Sequence, residues 1–394
     1  MASLEKVRPQ WNLLMGRTDF YMDERLQWLR CVLNPSKEIP TVRDWPKLLK
    51  FVNEQALTGI CIPSQRPEYL DRKLLLKWIS TCQGIERRNK LLNKRIDYLF
   101  GKMEEAGFRC CLLKGQGNAE MYPNPLMRCS GDIDLWVDAD EKTIYQYVKK
   151  LFPDVKASYK HINFPIFNNA PPVDVHVTPL KLYNNAYQER LQRWIIENKE
   201  EQFGNKIRLT EVKREVSVPT TRFNVVYQLG HMLVHLFEEG VGLRQIVDYY
   251  YVMKNLDASQ EVREELISTI RNLGMLRFAR AVMWIESVVL GLPVEQCIVE
   301  PDKRRGRRLL NDILVGGNFG HYNKNHGRKG FYNKGLMEAW RMVDLMGLAP
   351  REVMARLVSK KNTALKHAVK RLIKKTRLDE KQKTKYEKAE NNMV

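Results

Sequence analysis

Along the first hundred positions apolar residues recur every three or four places with polar residues between them, the spacing of helices that bury one face. Helices are predicted over Phe20 to Leu33, Trp45 to Ala56, Leu70 to Cys82 and Ile85 to Ala106. In the last, Leu91, Leu92, Ile96, Leu99, Phe100 and Met103 share a stripe, and Gly107 closes it. From Phe108 the period shortens to two. Arg109 to Lys114 and Asp132 to Val137 are predicted strands, joined by a short helix over Gly117 to Tyr122 and a loop from Pro123 to Gly131. Asp140 stands at an N-cap position before a helix from Glu141 to Phe152. Two more strands, Lys156 to Phe164 and Val173 to Val177, precede a helix from Ala186 to Phe203 and a polar, strand-like stretch from Lys206 to Val218. After Pro219 the helical period returns. Thr220 or Thr221 caps a helix through Phe237, and Leu243 to Lys254, Ser259 to Leu273, Leu276 to Leu290 and Leu336 to Met346 follow.

This order predicts an α+β protein: a small mixed sheet over residues 107–218, flanked by N-terminal helices over 1–106, a C-terminal helical domain over 219–350 and a basic helical tail over 351–394. Composition adds three constraints. The 394 residues are 44% hydrophobic, enough for packed cores. Seven scattered cysteines without a CxxC pair argue against a disulfide framework and a cysteine zinc site, and predict a reducing, cytoplasmic setting. No stretch approaches the roughly 18 apolar residues that span a bilayer, so no transmembrane segment is expected.

The net charge of +20 points to polyanionic partners. From 360 to 394 there are 12 Lys and Arg against four Asp and Glu, a net of +8 (12 − 4). With Leu365, Val369, Leu372 and Ile373 on one helical face, this tail suits RNA phosphates, an anionic membrane surface or plain solvation. The basic cluster Lys303 to Arg308, placed ahead of a short helix, has the same ambiguity.

Chemistry concentrates between Cys110 and Val137. On a strand from Asp132 to Val137, Asp132 and Asp134 share one face while Ile133 and Leu135 share the other. Neighbouring carboxylates repel unless a cation lies between them, and Mg²⁺ (or Mn²⁺) is held by such carboxylates together with substrate phosphates. Asp174, alternating with Val173 and Val175, supplies a third carboxylate if its strand pairs beside the first. Such a triad suits two Mg²⁺ ions on a nucleoside triphosphate, with Asp174 as ligand and general base. Upstream, Lys114-Gly115-Gln116-Gly117 forms a glycine-bearing turn where phosphates bind, and Lys114 and Arg128 add charge to it. Arg128 has the alternative of pairing with one of these three aspartates. His231 and His235, one turn apart, are packing residues or, with His176, zinc ligands. Arg244 and Asp248 have the spacing of an ion pair.

Leu113-Lys114-Gly115, Tyr122-Pro123, Arg128 with Asp132-Ile133-Asp134-Leu135, and Val173-Asp174-Val175-His176 together resemble the DNA-polymerase-β-like nucleotidyltransferase superfamily, and within it a bacterial nucleotidyltransferase-like family. His231 to His235, Leu243 to Asp248 and Gly317 to Gly320 are similar to that family's helical part, so the resemblance covers about residues 40–345. It implies a metal-dependent nucleotidyltransferase that moves a nucleoside monophosphate from an NTP to a hydroxyl acceptor and releases pyrophosphate. It also implies Asp132, Asp134 and Asp174 as catalytic and metal-binding residues, and Lys114, Gly115, Gln116 and Arg128 as nucleotide-binding ones. Two departures stand out: Gly115-Gln116 replaces the usual Gly-Ser or Gly-Gly, and a few extra residues precede Asp132. They keep open a non-catalytic RNA-binding or scaffolding protein on a degenerate version of the fold.

Overall fold

The computed structural model of the chain describes residues 23–35, 39–64, 67, 69–155, 161–167, 172–257, 259–318, 342–343 and 345–359. The basic tail from 360 onward, most of the predicted helix Leu336 to Met346 and the start of the predicted strand Lys156 to Phe164 lie outside the described residues.

Helices α1 (Glu24–Leu33), α2 (Trp45–Glu54) and α3 (Arg72–Glu105) lead into strand β1 (Cys110–Leu113). The sequence spacing predicts a break near Gly84, yet α3 runs unbroken for 34 residues. A lone glycine costs a helix only about 1 kcal/mol. Trp78 and Cys82 before it and Asn89 and Leu92 after it are all buried, and a continuous helix keeps them on one face. The Asp71 carboxylate caps its start by accepting from Leu74 N–H.

A short α4 (Gly115–Ala119) and a 3₁₀ turn at Pro125–Met127 connect β1 to β2 (Ile133–Val137), and α5 (Glu141–Leu151) follows, capped by Asp140 as expected. With β3 (Ile162–Asn163) and β4 (Val173–His176) these strands form a mixed sheet in the order β1-β2-β4-β3. β1 and β2 are antiparallel, β2 and β4 parallel, and β3 and β4 antiparallel. The parallel register sets Asp134 opposite Asp174 and Trp136 opposite His176. Side chains at paired positions share a face, so one face of the sheet carries the chemistry. The other face holds Ile133, Leu135, Val137, Val173 and Val175, which join Leu92, Ile96, Leu99 and Met103 of α3 and Ile144 and Val148 of α5 in one apolar cluster.

The chain continues through α6 (Asn185–Gly204), the hairpin of β5 (Lys206–Arg208) and β6 (Glu215–Ser217), α7 (Thr221–Glu238), α8 (Leu243–Lys254), α9 (Gln260–Asn272), α10 (Leu276–Trp284) and α11 (Lys303–Gly316). Trp136 stacks on Phe223 and meets Phe203 edge-on, which closes the chemical face of the sheet onto α6 and α7. Two sequence expectations change here. The helix expected through Leu290 widens into a π turn at Ile285–Val289, and the basic cluster Lys303 to Arg308 lies inside α11, which Asp302 caps through Arg305 N–H. Gly306 in that helix is required by a close approach, since a Cβ there would lie 2.4 Å from a Trp284 ring carbon. Among the described residues no helix is long and apolar enough to cross a membrane.

Candidate active site

The three carboxylates gather where β1 ends and β2 and β4 begin. Oxygen atoms of Asp132, Asp134 and Asp174 all lie within 4.8 Å of one another, and among the described residues this is the group of acidic, histidine or cysteine ligands that can hold a metal ion. Opposed ligands of an octahedral Mg²⁺ stand roughly 4 Å apart, so carboxylates on this spacing fit such an ion after small side-chain rotations. Asp132 is exposed, Asp134 buried and Asp174 half-buried, and Asp174 lies outside the cleft lining that the other two share.

β1 delivers the neighbouring cation. Leu113 pairs with Asp134, and the chain then turns sharply, with φ +50° at Lys114 and +49° at Gly115. A lysine in this left-handed region is strained by about 1–3 kcal/mol. The turn sets its Nζ 2.8 Å from Asp134 Oδ2 and 2.8 Å from His231 Nε2. His176 Nε2, two residues beyond Asp174 on the same face, lies 3.0 Å from Asp134 Oδ1. Burial alone would raise the Asp134 carboxyl, but the Lys114 ammonium and the His176 imidazole outweigh it and hold the group well below the usual carboxylate range. Asp174 shifts the other way. Burial raises it, its neighbour His161 at 3.5 Å offsets part of the rise, and the charges of Asp134 and Asp132 add to it. Burial pushes His231 well below the ordinary imidazole value, and the Lys114 charge pushes it further. A neutral His231 accepts from Lys114 through Nε2, and His235 Nε2 lies 3.1 Å from the same nitrogen. His231 therefore faces Lys114 and His235 faces His231, and among the described residues these histidines do not form a metal-ligand group.

Arg128 comes to the cleft from the loop before β2, which α3 holds because Asn89 Nδ2 donates to Leu126 O and Arg128 O. Its Nε and Nη2 each donate to Asp248 at 2.7 Å, and Tyr122 Oη donates to the same carboxylate at 2.6 Å. Asp248 thus pairs with Arg128, whereas the i, i+4 spacing had suggested Arg244, whose Nη1 donates to Cys129 O. Gln116 points elsewhere. Its Nε2 donates to Asn93 Oδ1 on α3 at 2.6 Å, which anchors the turn from behind.

Lys114, Gly115, Arg128, Asp132 and Asp134 line one cleft with about 60 Å³ of free space. The cleft is completed by residues that sequence reasoning did not assign to the site, Asn118, Gln228, Met232 and Gln245, and by Asp248. The matched family segment coincides with this architecture: residues 41–291 match the family described as uncharacterised nucleotidyltransferase. The chain belongs to that family. The region shared with these nucleotidyltransferases runs from before α2 to the end of the π turn and contains every residue that lines the cleft. The crystal structure of an antigenic nucleotidyltransferase-like protein from Paracoccidioides brasiliensis is similar at 14% identity, covering 46% of this chain and 86% of that chain with a TM-score of 0.32. No curated protein matches the sequence.

Proposed function

We propose that the protein is a metal-dependent nucleotidyltransferase, which transfers a nucleoside monophosphate from an NTP to a hydroxyl acceptor with release of pyrophosphate. The observation that carries this reading is the convergence of Asp132, Asp134 and Asp174 within 4.8 Å, the first two of them lining the cleft that Lys114 and Arg128 also line, in a chain of nucleotidyltransferase family. Asp132, Asp134 and Asp174 would hold Mg²⁺ or Mn²⁺. A bound ion supplies charge neutralisation for the triphosphate and polarises the attacking hydroxyl. Asp134 stays ionised, which suits a permanent ligand. Asp174 binds a proton more readily, which suits the group that takes the proton from the acceptor hydroxyl. Lys114, anchored between Asp134 and His231, sets positive charge at the turn where phosphate oxygens enter, and the Gly115 backbone lets them approach.

Calorimetric titration of ATP, CTP, GTP and UTP, with and without Mg²⁺, tests this reading against an Asp132→Ala/Asp134→Ala double variant. Metal-dependent binding of a nucleotide that disappears in the variant is the expected result, and equal binding by the variant would remove the carboxylates from the mechanism. A second reading, an RNA-binding protein on a degenerate fold, draws on the Lys114 ammonium, which already neutralises Asp134. It predicts polynucleotide affinity that falls steeply with salt and no metal-dependent nucleotide binding.

A further inference from the structure

The inner wall of the cleft is built from donors without acceptors. Asn118, Arg128 and Gln245 all line it and are 2%, 4% and 8% exposed. Each has one nitrogen, Asn118 Nδ2, Arg128 Nη1 and Gln245 Nε2, that is sealed from solvent and has no hydrogen-bond partner. Each is held by other bonds. Asn118 Oδ1 accepts from Gln228 Nε2 at 3.1 Å, with its amide nitrogen on the other side. Gln245 Oε1 accepts from Gly242 N–H at 2.6 Å, the capping bond that starts α8. Arg128 spends Nε and Nη2 on Asp248. Gln245 cannot be flipped to hide its nitrogen without breaking its bond to Gly242, and the guanidinium of Arg128 has only donors. An unsatisfied buried donor is unfavourable, and three from three separate segments on one cleft point to a missing acceptor.

The wall also carries charge. Arg128 and Arg244, both buried, line this wall together with Asp248, and Asp132 and Asp134 line the same cleft. Burial lowers the proton affinity of Arg244, and the neighbouring Arg128 charge lowers it further, while Asp248 opposes the shift.

We infer that the inner wall of the cleft, formed by Asn118, Arg128, Arg244 and Gln245, is a binding site for a phosphate-class oxyanion whose ligands are distinct from the three aspartates. The free space of about 60 Å³ holds a few waters or one compact oxyanion. Guanidinium and amide N–H groups are the donors that such an oxyanion takes. The inference rests on the proposed transferase reading only for what carries the anion: the triphosphate tail of the nucleotide, or an anionic group on the acceptor.

The test is metal-free. Inorganic phosphate and pyrophosphate are titrated, in the presence of EDTA, into the full-length protein, the Gln245→Glu variant and the Asp132→Ala/Asp134→Ala variant. Gln245→Glu keeps the oxygen that caps Gly242 and turns the free donor into an anionic acceptor. Binding by the wild type, weakened at least about tenfold by Gln245→Glu, a loss of about 1.4 kcal/mol, and retained by the aspartate variant, is the expected result. Gln245→Met, which removes the donor without adding charge, is expected to weaken binding as well. Circular dichroism melts establish that each variant is folded, and if Gln245→Glu is not, the Met variant decides. No binding at about 10 mM anion, a concentration that fills even weak sites, or equal binding by both folded Gln245 variants, overturns the proposal. Competition between pyrophosphate and Mg–NTP assigns the site to the nucleotide tail; simultaneous binding assigns it to the acceptor. Because the site is read without metal, failure of the aspartate mechanism leaves this result intact, and the reverse also holds.

Discussion

Asp134 at the mouth of β2 and Glu286 in the π turn after α10 are 5% and 0% exposed, and burial pushes both towards the neutral acid. Their outcomes are opposite. Asp134 faces the Lys114 ammonium and the His176 imidazole and is held far down as a carboxylate. Neither oxygen of Glu286 has a hydrogen-bond partner, and the group is pushed well above its ordinary value. Equal depth in the protein therefore does not set charge; the groups that face the carboxyl do. The sheet supplies such groups because its parallel register brings Asp174 and His176 alongside Asp134 and Trp136, while a helix buried among apolar neighbours supplies none.

The strongest way to break this comparison is to remove Asp134. Asp134→Ala leaves the Lys114 ammonium beside His231 without its counter-charge, and separating a buried pair in this way costs about 3–5 kcal/mol. Urea denaturation is expected to show that loss, and nucleotidyl transfer, followed by pyrophosphate release, is expected to fall about 10³-fold or more. Lys114→Met added to Asp134→Ala should recover much of the stability and none of the transfer. If Asp134→Ala alone is as stable as the wild type, the ion pair is not what holds the turn.

Glu286 gives the second prediction, with the opposite sign. Its folded proton affinity is raised, so its contribution is complete below the ordinary glutamate pKa of about 4.3 and is lost as pH rises above it. There the unfolded chain releases a proton that the folded chain keeps. Stability should then fall by up to about 1.4 kcal/mol per pH unit until the folded group ionises. Glu286→Leu removes that dependence, and the difference between the two proteins, from urea melts between about pH 4 and pH 8, should grow with pH in favour of the variant. Parallel curves would mean that Glu286 has a partner in solution.

These contrasts also mark what could be read in the sequence. The alternation Asp132-Ile133-Asp134-Leu135 fixed which side chains share a face, and the short apolar strand around Asp174 invited the pairing that the register shows. Local period carries that kind of information. It does not carry partners across the fold. Arg128 meets Asp248 at a separation of 120 residues, and the bond from Asn89 that steadies the Arg128 loop comes from the middle of α3. The break expected near Gly84 fails for the same reason, since burial on both sides decides the helix and the glycine does not. Asn118 gave no signal, and Gln245 stood only inside the similar stretch Leu243 to Asp248 with no role of its own, because an amide becomes informative only when one end is tied and the other is left without a partner.

Gln116 supplies the smallest and most selective prediction. It occupies the position where related glycine motifs carry Ser or Gly, and from the sequence that change falls on the triphosphate grip. In the fold its side chain turns away from the cleft to Asn93, and the cleft is lined by Lys114 and Gly115 on either side of the turn but not by Gln116. Gln116→Ser removes the bond to Asn93 and leaves that amide oxygen without its donor, a loss of about 1–2 kcal/mol in urea denaturation. Nucleotide affinity should change by less than about twofold, under 0.5 kcal/mol, because the backbone that faces the cleft is set by the positive φ angles of Lys114 and Gly115. A tenfold gain in affinity would instead show that the Gln116 side chain obstructs the phosphate turn, and would make this one residue the difference between a weakened site and a competent one.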